Sequence, residues 1–196
     1  MTSARRPTWR LCSAGGALVT AWWLCLASAM PVQASSDAAT AGTTRVQVWF
    51  SNDRLNKDLM DCKAVFPVER RVPRTLAVAA ASLRELFAGP TPEETVAGYR
   101  SVFSTTSAGL LKSVHIRDGT AYVDLHDPVQ ELSGATASCG AAEFQSQVSQ
   151  TLLRFHTISR VIYAFEGKPR DFYGWMNESC GPANDNCDPQ PFGRGH

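Results

Sequence analysis

The stretch "LRELFAGPTPEE", residues 83–94, places the end of one helix and the start of another a few positions apart. Gly89 suits the left-handed position that closes a helix, and Pro90 forbids continuation. Thr91 and Glu94 have the spacing of a capping box, with Pro92 at the first position of a short second helix that Gly98 ends. Upstream, Leu76, Ala79, Ala80, Leu83, Leu86 and Phe87 recur at three- and four-residue spacing, so Thr75 reads as the N-cap of an amphipathic helix. Glu93 and Glu94 invite an acid–base reading. Catalytic carboxylates, however, need environments that separate their pKa values, and a first-turn position on an exposed helix stabilises both as anions. An anion site at this helix start meets a similar objection: Thr91 and Glu94 already occupy donors there, and Pro92 has none. The corner reads as punctuation.

Working outward, "RVQVWFSND" alternates Val46, Val48 and Phe50 with other residues and ends in turn formers, which is a strand. "CKAVFPVERRVP" is extended, but Pro67 and Pro73 restrict it to an edge strand or an irregular arm. Asp118-Gly119 is a two-residue hairpin signal. It sets Ile116 opposite Ala121 and Val114 opposite Val123, with Leu125 continuing an apolar face. "AAEFQSQVSQTLLRFHTI" carries Phe144, Val148, Leu152 and Phe155 on one helical face, and "RVIYAFEG" is a final strand. Two amphipathic helices need a sheet to cover them. The expected fold is therefore α/β of the α+β kind. It is a two-layer sandwich with two main helices on one face of a mixed or mostly antiparallel sheet of about four to five strands.

Of the 196 residues, 44% are hydrophobic, enough for one domain with a sizeable core. Residues 1–34 are set apart. Arg5, Arg6 and Arg10 precede a long apolar run, and Val32 and Ala34 give small residues before a cleavage point, as in a secretory signal peptide. An uncleaved anchor is the alternative, since the run is about as long as a spanning helix. Residues 35–44 read as a flexible lead-in, 45–170 as the domain and 171–196 as a C-terminal extension. The whole chain carries +1, and losing the leader's three arginines leaves −2, with no basic run for nucleic acid. Cys62, Cys139, Cys180 and Cys187 remain, an even number suited to disulfides in an exported chain. Three pairings are open, and the favoured one joins Cys62 to Cys139 and Cys180 to Cys187. The second bridge closes "CGPANDNC", a turn-prone loop. Neither C-x-x-C nor paired-histidine spacing marks a metal site, and no cofactor is implied.

Candidate chemistry gathers on the 113–126 hairpin. His115 is expected opposite Tyr122 and Ser113 opposite Asp124, with His126 two residues further along, all pointing away from the helices. A serine–histidine–acid set can be drawn there, which makes a secreted hydrolase the alternative reading. A flat strand face, though, lacks an oxyanion hole and a sheltered cleft. As a binding face, His115, Arg117, Tyr122, Asp124 and His126 suit a polar polymer or another protein. Trp49, Tyr173 and Trp175 could stack on sugar rings, but aromatics near a core edge usually serve packing. His156 reads as helix C-terminal stabilisation.

The segments "VQVWFSN", "VFPVERRVPRT", "LRELFAGPTPEETVAGYRSVF", "LKSVHIRDGTAYVDL" and "VSQTLLRFHTISRVIYAFEGKP" together resemble the GerMN (sporulation and spore germination) domain family, in the family's order. The L-x-G-P-T-x-E-E element is the most distinctive part, and a subgroup places cysteines like Cys62 and Cys139, in keeping with the favoured pairing. The resemblance implies an extracytoplasmic binding or scaffolding module without established catalytic residues. Its partner would be an envelope protein or peptidoglycan. A self-associating domain pairing through an edge strand is a further expectation to test. The 171–196 extension departs from the family's pattern.

Overall fold

A computed structural model describes residues 42–58, 61–127, 132, 134–181 and 186–193. The signal-peptide reading of residues 1–34 lies outside the described residues. So do most of the lead-in and the centre of the Cys180–Cys187 loop. The first strand among the described residues is β1 (Thr43–Asn52), whose Val46, Val48 and Phe50 turn inward, nearly or wholly buried. β2 (Phe66–Pro73) pairs antiparallel along it, as an edge strand compatible with its two prolines. α1 (Val78–Phe87) buries Leu83, Leu86 and Phe87. The helix starts later than the apolar spacing implied. Thr75 Oγ1 accepts the Ala77 N–H at 3.0 Å, and Leu76 precedes the helix, fully exposed.

α2 (Pro92–Val96) follows after the Gly-Pro corner with the expected capping box: Thr91 Oγ1 accepts from the Glu94 N–H, and Glu94 accepts from the Thr91 N–H. Gly89 has φ +75°, and a Cβ there would lie 2.6 Å from the Phe103 carbonyl oxygen, so the corner requires glycine twice over. A two-residue β3 (Tyr99–Arg100) pairs with the end of β1. β4 (Leu111–Arg117) and β5 (Thr120–Leu125) form the hairpin in the expected register, with Asp118 and Gly119 both at positive φ. α3 (Ser138–Leu153) then crosses over to β6 (Arg160–Phe165), which lies parallel to β5. α4 (Pro169–Trp175) packs on β6.

The sheet departs from the expectation. The described residues form two three-stranded sheets, β2-β1-β3 and β4-β5-β6, in place of one sheet of four to five strands. The reason lies at the second edge of β1. β3 takes its end, and further back an α3 side chain takes a strand donor: Thr151 Oγ1 accepts the Trp49 N–H at 3.1 Å. The hairpin therefore forms its own sheet. α1 touches β1 and β4, α3 touches β1 and β6, and one hydrophobic core runs through all of them. β6 is buried from Ile162 to Phe165, and α4 packs beside α3 on its Tyr163–Phe165 face, where Phe172 and Trp175 meet Phe144 of α3. Disulfides join Cys62 to Cys139, tying the loop after β1 to the first turn of α3, and Cys180 to Cys187.

Candidate functional site

The hairpin register brings three of the expected binding residues together. His115 stacks on Tyr122 with ring centroids 5.3 Å apart, and the Arg117 guanidinium sits 5.9 Å from the Tyr122 centroid. The face is not the open strand surface expected. Phe192, from the 3-10 turn Gln190–Phe192, meets Tyr122 edge-on at 5.6 Å and is itself buried, so the tail covers part of it.

Asp124 corrects the expectation further. It was expected on a solvated face, yet it is 3% exposed. Its Oδ1 accepts the Gly167 N–H at 2.7 Å and its Oδ2 lies 3.4 Å from Lys112 Nζ. A buried carboxylate must be paired and hydrogen-bonded, and here it holds the Glu166-Gly167 turn after β6. His126 lies beyond the strand, its Nδ1 2.8 Å from Glu166 Oε1. Glu166 also accepts from Lys112 Nζ at 2.7 Å. Lys112 first, then His126, hold the Glu166 carboxyl below its ordinary pKa. Neither His115 nor His126 bonds to Asp124 or Ser113. The serine–histidine–acid arrangement is not assembled.

The aromatic candidates separate as well. Trp175 packs against Phe144, Phe165 and Phe172 at 5.3–6.0 Å. Its remaining surface lines an open cleft of about 320 Å³ shared with Asp127, Glu166, Lys168 and Asp171. Tyr173 is buried, and burial raises its pKa. Trp49 sits half-buried on β1, and its Nε1 is buried without a hydrogen-bond partner. Among the described residues, no group of three or more His, Cys, Asp or Glu side chains converges as a metal site would require.

Glu94 needs a similar correction. It was read on an exposed first turn, but its side chain is 15% exposed and ion-paired with Arg70. Arg70 is the residue that sequence reasoning missed. It lies opposite Val46 on the inner face of β2, only 10% exposed. It donates to the Glu85 carbonyl at 2.8 Å, the Gly89 carbonyl at 2.9 Å and both Glu94 carboxylate oxygens. One guanidinium therefore satisfies the carbonyls at the end of α1 and the carboxylate that caps α2, while lying 5.3 Å from the Phe50 ring centroid. The signal was present: in "VERRV", Val68, Arg70 and Val72 share one face by strand alternation. Glu93 stays exposed. The helix-start backbone N–H first, and the Thr91 hydroxyl next, lower its pKa.

Fold and site together define an α+β module stapled by disulfides, in which the buried polar groups hold turns and caps. The family model described as "Germane: Sporulation and spore germination" matches residues 47–171, and the chain belongs to that family. Among solved structures, the tandem GerMN domains of the sporulation protein GerM from Bacillus subtilis are 19% identical with a TM-score of 0.48. That match covers 65% of this chain and 40% of the tandem structure, so this chain spans less than half of that protein's length. The first GerMN domain of the same protein is 20% identical with a TM-score of 0.42, covering 63% of this chain and 84% of that one. No curated protein matches.

Proposed function

We propose that this chain is an exported, non-catalytic GerMN-type module of the cell envelope that acts by binding another envelope protein. The observation that carries the reading is the use made of its polar candidates within a family member. Asp124 holds a backbone N–H, His126 pairs with Glu166, and Glu94 caps a helix on Arg70. These groups position the chain, and what faces outward is surface suited to contact. Export is supported by the leader-like residues 1–34 and by two disulfides in one small domain. The 45–170 segment is the module. The tail beyond it adds Phe172, Met176 and Phe192 to the core. Peptidoglycan is the second reading, favoured by Trp175 in an open cleft that also carries polar and charged groups.

Immobilised protein should retain an envelope protein from a membrane and wall extract of its source organism, and should stay in the supernatant with purified sacculi. Co-sedimentation with sacculi, with nothing retained from the extract, would move the reading to the glycan.

A further inference from the structure

Among the described residues, β4 is an edge strand with a hydrogen-bonded neighbour on one side only, β5. The two-residue turn makes Arg117 and Thr120 the hydrogen-bonded pair that closes the hairpin, and His115 and Tyr122 the next. By the same alternation, the N–H and C=O groups of Val114 and Ile116 point to the free side. No described residue takes them.

Beside this edge runs an open groove of about 240 Å³, lined by Leu76, Val78, Ala80, Val114, Ile116 and Phe155. Leu76 is fully exposed and Ile116 is 44% exposed. Leu76 is placed there because α1 begins at Val78, which takes it out of the helix stripe. An apolar groove alongside unpaired strand backbone is a template for strand addition.

The charge around it selects the occupant. Each lining segment brings an exposed cation: Arg74 ahead of Leu76, Arg117 after Ile116, and Arg154 before Phe155. Two carboxylates lie close by, Asp118, 3.8 Å from Arg117, and Glu69, which lines the adjoining cleft with Arg154 and Phe155 and is paired with Arg45 at 3.6 Å. A second copy pairing through β4 would bring a second Arg117 to the same edge, and the strand "LKSVHIR" has no carboxylate to offer the other copy.

Building on the proposed envelope-binding role, we propose that the free edge of β4 and the Leu76–Ile116 groove receive an extended acidic segment of the partner, added as a strand beyond β4. Its backbone pairs with Val114 and Ile116, alternate apolar side chains enter the groove, and carboxylates meet the cations.

The probe is a fluorescein-labelled peptide alternating valine and glutamate, long enough to run beside the seven residues of β4. Fluorescence anisotropy with the full mature chain should show saturable binding that weakens with salt. N-methylation of alternate peptide nitrogens and the double variant Leu76→Ser/Arg117→Glu should each weaken it about tenfold or more, equivalent to about 1.4 kcal/mol. Both replaced side chains are exposed, so circular dichroism should match the parent. Equal binding of a valine–lysine peptide, absence of binding, or indifference to the double variant overturns the inference. So does a dimer in light scattering that Leu76→Ser dissolves, since the second copy would then be the occupant. If the double variant still retains the envelope protein from extract, this inference falls while the broader binding role stands.

Discussion

Replacing Arg70 with methionine tests the account of the Gly-Pro corner. The substitution keeps a long unbranched stem against Phe50 and removes five donors. Left behind are the Glu85 and Gly89 carbonyls and the Glu94 carboxylate, all formerly bonded to a guanidinium 10% exposed. Orphaning a buried charge costs about 3–5 kcal/mol, and the carbonyls fall within that figure where water cannot reach them. Glu85, itself 36% exposed, adds little through its carboxylate. For a domain of this size the loss corresponds to roughly 6–20 °C in Tm. Glu94→Gln, which keeps the shape but removes the charge, should cost about 1–3 kcal/mol. The double variant should be less destabilised than the sum of the two singles, with a coupling of about 1–3 kcal/mol, because glutamine leaves no anion to strand. Urea unfolding of the oxidised protein, followed by far-ultraviolet circular dichroism, gives all three values. A loss below about 1 kcal/mol for Arg70→Met, or strict additivity, would refute the reasoning.

Other outcomes follow from single positions. Gly89→Ala combines a φ of +75° with a Cβ 2.6 Å from the Phe103 oxygen, so it should cost about 1–3 kcal/mol from conformation alone and more from the clash. Gly109→Ala, with open space around it, should stay within about 0.5 kcal/mol by the same melt. The Cys62–Cys139 bridge closes a separation of 77 residues against 7 for Cys180–Cys187. Serine pairs should therefore lose about 4.5 and about 2.4 kcal/mol respectively on the chain-entropy account. Non-reducing mass mapping should recover each joined peptide, and a Cys62–Cys180 peptide would contradict the pairing. Burial raises the pKa of Tyr163 and Tyr173 above 10. The folded state thus keeps protons that the unfolded chain sheds, and stability present below about pH 10 should fall as pH rises past it. Tyrosinate absorbance at 295 nm should have a component that appears together with unfolding. Tyr163→Phe should reduce the slope, and an unchanged slope would place the alkaline loss elsewhere.

Local chemistry was legible wherever a residue's role depends on its chain neighbours. Gly89, Pro90, Thr91, Pro92 and Glu94 wrote the helix stop and start, and Asp118-Gly119 wrote the hairpin register down to Ser113 opposite Asp124. The core stripes of α1 and α3 were readable by period alone, apart from Leu76 and Phe155, which lie outside the helices. The candidate site was legible only in part. His115, Arg117 and Tyr122 do meet, since strand pairing places them. Asp124, His126 and Trp175 looked like their neighbours in sequence, yet their surroundings come from the turn after β6 and from α4.

What the sequence determined by itself is β1, β2, α1, α2, the β4–β5 hairpin, α3 and β6, the Thr91 capping box, the Asp118-Gly119 turn and the resemblance to a family, but neither β3 nor α4. These depend on contacts within a few residues, where backbone sterics and hydrogen-bond geometry leave few choices. Tertiary structure alone decided that β1 meets β3 and Thr151 at its second edge, and that the sheet divides in two. It also decided that Arg70 locks the Gly-Pro corner across 24 residues to Glu94, and that the tail's Phe192 covers the hairpin face. Those outcomes arise from distant segments competing to satisfy the same buried donors and the same apolar surface, a competition that no local pattern records.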